Sequence, residues 1–436
     1  MKMLRLAALL LAFASPVKAE IDIQTVTSPG GIKAWLIEDH NIPFTALEIR
    51  FRGGQSLDEP GKRGAVNLMA ALIEEGTGDL DSPGFAKARD SLAASFSFNS
   101  DDDAVSVSAR FLTENRDQAI DLLRRALVEP SFPDEAVERV RGQVLANIRS
   151  TEKDPGDLAG RKLRELTFGT HPYSTLGDGT AETVTALTRD DIVAAHKATL
   201  ARDRIYVAAA GDISAADLGL MLDKLLSGLP ETGAPIPDRA PFNLTGGVTV
   251  VDFPGPQSTI LFGHEGMKRD DPDFFAASIL NEIMGGGRFS ARLMTEVREK
   301  RGLTYGIGSY LVGYDLAEMY MGQFATANGT AAEAIEVVRN EWKRMAEEGV
   351  TEEEVTKAKT YMTGSYPLRF DSNGAIANIL VGMQMIGLSA DYPKTRNDKV
   401  NAVTMEDLQR VAKRMYRPDD LRFIVVGQPE GLASTE

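Results

Sequence analysis

The sequence predicts an α+β fold in two similar halves, each an antiparallel-rich sheet covered by helices. Three observations carry that expectation. Strand-like and helix-like segments come in the same order twice along the 436 residues. A helix-to-strand phrase that closes the first half returns, without a gap, at the close of the second. Between the halves lies a stretch dense in Pro and Gly.

Ile21–Val26 and Lys33–Ile37 read as a hairpin around Ser28-Pro29-Gly30-Gly31, and Thr45–Phe51 alternates as a strand. Gly64–Glu75 has a helical pattern that stops at Gly76-Thr77-Gly78, which places Glu74 and Glu75 as solvated carboxylates at a helix end. Two strands, Ser95–Asn99 and Ala104–Phe111, flank Asp101-Asp102-Asp103. That acidic run lacks the spaced oxygen ligands and Gly of a calcium loop, so it reads as a hairpin tip left in water. Helices are expected over Arg116–Val128 and Asp134–Thr151, a break at Pro155, then more helix and a strand at Ile205–Gly211.

Leu229 to Gly247 carries Pro230, Gly233, Pro235, Pro237, Pro241, Gly246 and Gly247 and is the expected linker. Strands near Val248–Asp252 and Thr259–His264 then restart the order, followed by helices, two strands, long helices and a last strand. The repeat is clearest at the two ends. Asp191-Ile192 opens a helix before Ile205–Gly211, and Asp407-Leu408 opens one before Leu421–Gly427, at a constant offset of 216. Lys197/Lys413 and Asp203/Asp419 keep the register, as a duplication would leave them. The expected organisation is a leader over residues 1–19, a first domain over 20–230, a linker over 231–246 and a second domain over 247–436.

Composition excludes several chemistries. With no Cys there is no disulfide, thiolate metal site or Cys nucleophile. A net charge of −15 argues against electrostatic nucleic-acid binding, and 43% hydrophobic residues argue against disorder. Met1 to Ala19 has a basic start (Lys2, Arg5), an apolar run too short to span a bilayer, and a Val17-Lys18-Ala19 end suited to a signal peptidase. Its removal takes away three bases and no acid, leaving −18. The expectation is an exported, periplasmic protein with no membrane attachment after cleavage.

Two segments carry chemistry. The first is Gly53-Gly54-Gln55-Ser56 leading into Gly64-Ala65-Val66-Asn67-Leu68-Met69-Ala70-Ala71 and closing at Gly76-Thr77. It resembles the active-site entry of the pitrilysin/insulinase zinc peptidases, where a helix bears His-x-x-Glu-His. Two His at i and i+4 grip zinc from one helical face, and the Glu between them polarises the bound water. Here the His positions hold Asn67 and Ala71, and the Glu position holds Ala70. The third ligand of the family is a Glu on a later helix. The matching stretch, Gln143-Val144-Leu145-Ala146-Asn147-Ile148, holds Ala146 and Asn147. No Ala has a lone pair to offer, and a neutral amide is a poor zinc ligand. The four His do not repair the loss: His40 lies in a turn, His171 in Gly169-Thr170-His171-Pro172-Tyr173 as a structural loop residue, His196 on a helix and His264 at a strand end.

The second segment runs from Gly285-Gly286-Gly287-Arg288-Phe289 through Leu293, Val297-Arg298 and Gly302-Leu303 to Tyr305. It follows a helix and lacks the Lys-Ser/Thr of a phosphate loop. It resembles the C-terminal half of the same peptidases, in which an Arg and a Tyr seven residues on contact the substrate backbone. Arg298 and Tyr305 match, with Tyr305 expected to start a strand. A guanidinium and a phenol are donors suited to peptide carbonyls. The other reading has Arg298 paired with Glu296, Glu299 or another acid and Tyr305 packed under the sheet.

The resemblance covers about Ile21 to Gly427. It implies two homologous α/β roll domains forming half of a clamshell, in the two-chain branch of the family resembling the mitochondrial processing peptidases. It also implies a substrate-binding subunit that is inactive alone and binds no zinc, with a homologous His-x-x-Glu-His partner holding the metal and Arg298 and Tyr305 touching the peptide. The alternative it leaves is a non-enzymatic scaffold or peptide-binding protein of the same fold.

Overall fold

The computed structural model describes residues 22–435, so the expected leader over residues 1–19 lies outside the described residues. The first half begins with a hairpin of β1 (Gln24–Thr27) and β2 (Lys33–Glu38), which turns at Ser28–Gly31 as the sequence predicts. Next come β3 (Phe44–Arg52), α1 (Ala65–Leu72), a two-stranded ribbon of β4 (Gly76–Thr77) and β5 (Leu80–Asp81), and α2 (Ser82–Ser91). β6 (Ser95–Ser100) and β7 (Ala104–Leu112) precede α3 (Arg116–Val128), α4 (Asp134–Thr151) and α5 (Pro155–Phe168). Pro155 separates α4 from α5 as the first residue of the new helix, where its missing N–H costs nothing and Asp154 caps the N-terminus. α6 (Ala181–Ala186), α7 (Arg189–Thr199), β8 (Ile205–Gly211) and α8 (Ala215–Leu225) complete the half.

The second half has β9 (Gly247–Asp252), β10 (Gln257–Glu265), α9 (Phe274–Gly285), β11 (Ile307–Gly313) and β12 (Glu318–Ala327). Then follow α10 (Ala331–Glu348), α11 (Glu352–Ser365), α12 (Asn373–Met385), α13 (Tyr392–Ala402), α14 (Met405–Met415) and β13 (Arg422–Gly427).

The two main sheets repeat one topology. The first has the order β1-β2-β8-β3-β7-β6 and the second β9-β13-β10-β12-β11 when read from the corresponding edge. β2 runs parallel to β8 and β9 parallel to β13, while the other neighbours in both sheets are antiparallel. β1 is the extra strand of the first sheet. The 216-residue repeat therefore extends to strand order and strand sense.

Each sheet buries one face under helices of its own half. In the first, Leu47, Ile49 and Phe51 of β3 alternate into a core shared with α1, α3 and α7. In the second, Ile260 and Phe262 of β10 pack against Trp342, Val411 and Met415.

The opposite faces are covered by exchange. α5, from the first half, lays Ala159, Leu163 and Phe168 on Leu261, Ile424 and Val426 of the second sheet. α12, from the second half, lays Ala377, Leu380 and Val381 on Ala46, Ala208 and Ala210 of the first. Small residues on β3 and β8 let the helix approach closely, and Gln384 Nε2 of α12 donates to the Val207 carbonyl at 2.7 Å.

The acidic tip between β6 and β7 differs from the expectation. Only Asp101 stays exposed. Asp102 accepts from Arg164 at 2.7 Å, and Asp103 is bonded by the fully buried Tyr173 hydroxyl and by the Asp315 backbone N–H at 3.0 Å. Asp315 also takes Arg52 Nε at 2.5 Å. The tip is thus a polar joint between the halves. Its partners lie 62 to 212 residues away in the chain, which is why the local sequence reads as a solvated turn.

Candidate functional site

α1 is set in place by a carboxylate from the loop before it. Asp58 accepts from Gly64 N at 2.8 Å and Val66 N at 2.9 Å, satisfying helix-start donors from outside the helix. Burial lifts its pKa to about 6 against the pull of those N–H groups and Arg63. Gly64 takes a left-handed φ of 97°, and a Cβ there would meet the Asp178 carbonyl at 2.7 Å.

On α1, Asn67 is half-buried and Ala71 exposed, one turn apart on the same side, while Ala70 is buried. Ala146 and Asn147 are exposed on α4, which packs on α1. Two packed helices thus carry these five positions, and none of the five side chains is a usable zinc ligand. The donor set is two neutral amides and three methyl groups, which do not fit a zinc ion. Among the described residues no three His, Asp or Glu side chains are grouped to hold a metal.

Glu74 and Glu75 are also not free. Glu74 pairs with Arg89 at 2.9 Å and Glu75 with Arg139, in the turn after the helix has ended at Leu72. Burial raises the Glu74 pKa; at Glu75 the Arg139 and Ser82 hydrogen bonds outweigh burial and lower it.

The histidines have structural partners. His171 takes the Tyr173 N–H on Nδ1 at 3.2 Å, which leaves Nε2 to donate to the Asp238 carbonyl at 3.0 Å. His196 bonds the Leu127 carbonyl at 2.8 Å. His264 accepts the Trp342 indole N–H at 3.2 Å and donates to the Glu265 carbonyl at 2.7 Å; burial drives its pKa down to about 4. His40 meets Asp212 at 2.6 Å on the surface.

Arg298 lies in a π-helical turn, Met294–Glu299, a backbone form that recurs at functional sites. The acid two residues before it, Glu296, is taken by Lys300 at 2.7 Å and Arg301 at 2.9 Å, with Arg344 at 3.6 Å. Among the described residues no carboxylate pairs with Arg298. Its guanidinium instead sits over the Phe289 ring, 4.8 Å from the centroid.

Tyr305 does not start a strand. The β11 ladder begins at Ile307, because Thr304 Oγ1 binds the Ala325 carbonyl at 2.7 Å and accepts the Gly306 N–H at 3.2 Å. Thr326 Oγ1 donates to the Leu303 carbonyl at 2.6 Å, and Gly302 turns the chain with φ 65°. Leu303 and Thr304 are buried, while Tyr305 is 89% exposed. The backbone around it is thus fixed and the ring projects into solvent.

Beside this segment a cavity of about 860 Å³ opens between β11, the Gly285–Gly287 turn and the start of α5, whose Asp154 and Asp157 line it. Tyr310 also lines it, and burial raises that phenol's pKa. The sequence does not point to Asp154, Asp157 or Tyr310, because α5 and β11 meet only through the exchange of helices.

Residues 33–178 match the family described as insulinase (peptidase family M16), and residues 186–362 match the peptidase M16 inactive domain. The chain is 26% identical over 393 residues to the non-peptidase homolog YmxG of Helicobacter pylori, covering 89% of this chain and 90% of that one. It is 26% identical over 329 residues to the probable mitochondrial-processing peptidase subunit beta of Schizosaccharomyces pombe, covering 72% and 71%. The crystal structure of a peptidase M16 inactive domain from Pseudomonas fluorescens superposes with a TM-score of 0.87 at 28% identity, over 95% of this chain and all of that one.

Proposed function

Because the chain belongs to the insulinase (peptidase M16) family, we propose that it is the non-catalytic, substrate-binding subunit of a two-chain zinc peptidase. The partner is a homologous chain with an intact His-x-x-Glu-His, whose zinc activates the hydrolytic water. The observation that carries this reading is the contrast between two segments. Asn67, Ala70, Ala71 and Asn147 offer no usable ligand set, while Tyr305 stands 89% exposed on a backbone pinned from both sides. A tyrosine with only a packing role would be buried.

In this reading Arg298 and Tyr305 hold the peptide. The guanidinium presents N–H donors to backbone carbonyls, and the Tyr305 hydroxyl donates to a further carbonyl. Both contacts address the backbone, so they position varied sequences for the partner's chemistry. An extended peptide also has terminal strands to align with, β6 in one sheet and β11 in the other. With residues 1–19 removed, the assembly would work in the periplasm.

The test is reconstitution. The isolated chain should contain no zinc and cut no peptide, and mixing it with a copurifying His-x-x-Glu-His chain should produce hydrolysis. Arg298→Ala should lower that activity by about tenfold or more, as loss of a charged hydrogen bond does. Full activity of Arg298→Ala in the complex would end the positioning role. A stable pair that hydrolyses nothing would favour the scaffold reading, which the similarity to a non-peptidase homolog supports.

A further inference from the structure

Arg298 has a partner that the family resemblance does not supply. Its guanidinium rests on Phe289 rather than on a carboxylate. The two kinds of contact leave different things free. A carboxylate takes in-plane N–H groups and cancels the charge. An aromatic ring attracts the cation through its face and leaves the in-plane donors available.

Phe289 is 65% exposed, yet it is anchored from the residue before it. Arg288 donates Nε to Glu282 at 2.6 Å and lays its guanidinium over the Tyr361 ring, 4.7 Å from the centroid. Gly286 lies close against Glu282, where a Cβ would meet the carboxylate at 2.6 Å. On the other side the Ala291 N–H closes the turn on the Arg288 carbonyl at 3.1 Å, and Ala291 is buried. The ring is therefore presented by a fixed turn.

We infer that Phe289 is a positioning residue: its ring holds Arg298 in place by stacking, so that the guanidinium meets a peptide with its charge and its donors unspent. Glu296, held by Lys300, Arg301 and Arg344, is kept from competing. This rests on the reading of Arg298 as a peptide contact, and it assigns the residue that makes such a contact possible.

The experiment is fluorescence anisotropy of the chain lacking residues 1–19 with a fluorescein-labelled alanine–serine peptide blocked at both ends, a probe with little but backbone to recognise. Phe289→Leu should weaken binding ~5-fold, in line with a partly exposed cation–aromatic contact. Phe289→Tyr should bind within ~2-fold of the wild type, since it keeps the ring. Phe289→Leu placed on Arg298→Ala should add nothing to the loss from Arg298→Ala alone. Thermal melting of Phe289→Leu and Phe289→Tyr should match the wild type, because the Phe289 ring is 65% exposed.

Unchanged binding in Phe289→Leu, with weaker binding in Arg298→Ala, overturns the positioning role and leaves the reading of Arg298 intact. A further loss from Phe289→Leu in the Arg298→Ala background also overturns it, since Phe289 would then touch the peptide itself. Unchanged binding in Arg298→Ala, or no binding by the wild type, overturns the underlying reading as well.

Discussion

Replacing Tyr173 by Phe removes one oxygen from the joint between the halves. That oxygen donates to Asp103 and accepts the Leu316 N–H at 3.2 Å, and the side chain is fully buried. The loss leaves a buried backbone N–H without a partner and takes a donor from a carboxylate. The first costs about 1 kcal/mol and the second about 2 kcal/mol, so Tyr173→Phe should lower stability by about 3 kcal/mol near neutral pH. The penalty also depends on pH. Burial already lifts Asp103 to about 6, above the ordinary 3.8, despite the Tyr173 hydrogen bond. The folded state therefore takes up a proton at this group as pH falls from about 6 towards 3.8, and stability at this group rises over that window. Without the Tyr173 donor the carboxyl should titrate higher still, so acidification should recover more of the mutant's loss. Urea unfolding of both proteins at about pH 7.5 and about pH 5 measures this. A loss below about 1 kcal/mol at the higher pH, or a loss as large at the lower pH, would refute the argument.

Three further predictions concern other parts of the chain. Leu163→Ala on α5 and Leu380→Ala on α12 should each cost about 2–5 kcal/mol in urea unfolding, because each side chain is buried on the opposite half's sheet; a cost under about 1 kcal/mol would mean that the exchanged helices are not load-sharing parts of the cores. In histidine-selective NMR, His264 should stay neutral until about pH 4, while His40, raised by Asp212, should titrate above 6.5. Because the depressed His264 pKa favours the neutral folded form, its contribution is complete above 6.5 and is lost as pH falls from there to about 4; titration of both rings at 6.5 would contradict the contacts described. Finally, Asn67→His, Ala70→Glu, Ala71→His and Asn147→Glu together should give a chain that retains zinc through dialysis, read by metal analysis; failure of a folded variant to bind would show that α1 and α4 no longer hold the metal-binding register.

Elements whose signal is local were legible in the sequence. α3 and α4 occupy the residues that their periodicity gives, 116–128 and 134–151, and the strand at Ile205–Gly211 is where the repeat puts it. α2 was not read, because a helix with Phe85 as its one buried side chain has almost no apolar stripe. The helix that carries Asn67 and Ala71 was legible as well, and the two stand one helical turn apart on it. Tyr305 was misplaced into a strand because the pattern does not show Thr304 spending its hydroxyl on the neighbouring chain. The partners of Asp102 and Asp103, and the ring under Arg298, depend on contacts that no local pattern encodes. The sequence predicts more helix after Pro155 and long helices in the second half; it does not say which half's sheet receives α5 and α12.

That mutual trade of α5 and α12 bears on how such a chain came to exist. If the halves descend from one duplicated unit, two identical copies making the same trade as separate molecules would have formed a helix-swapped homodimer. Joining them in one chain would have turned a concentration-dependent encounter into an internal closure. It would also have released the two copies from identity, so that each half could change its side chains without a new fold.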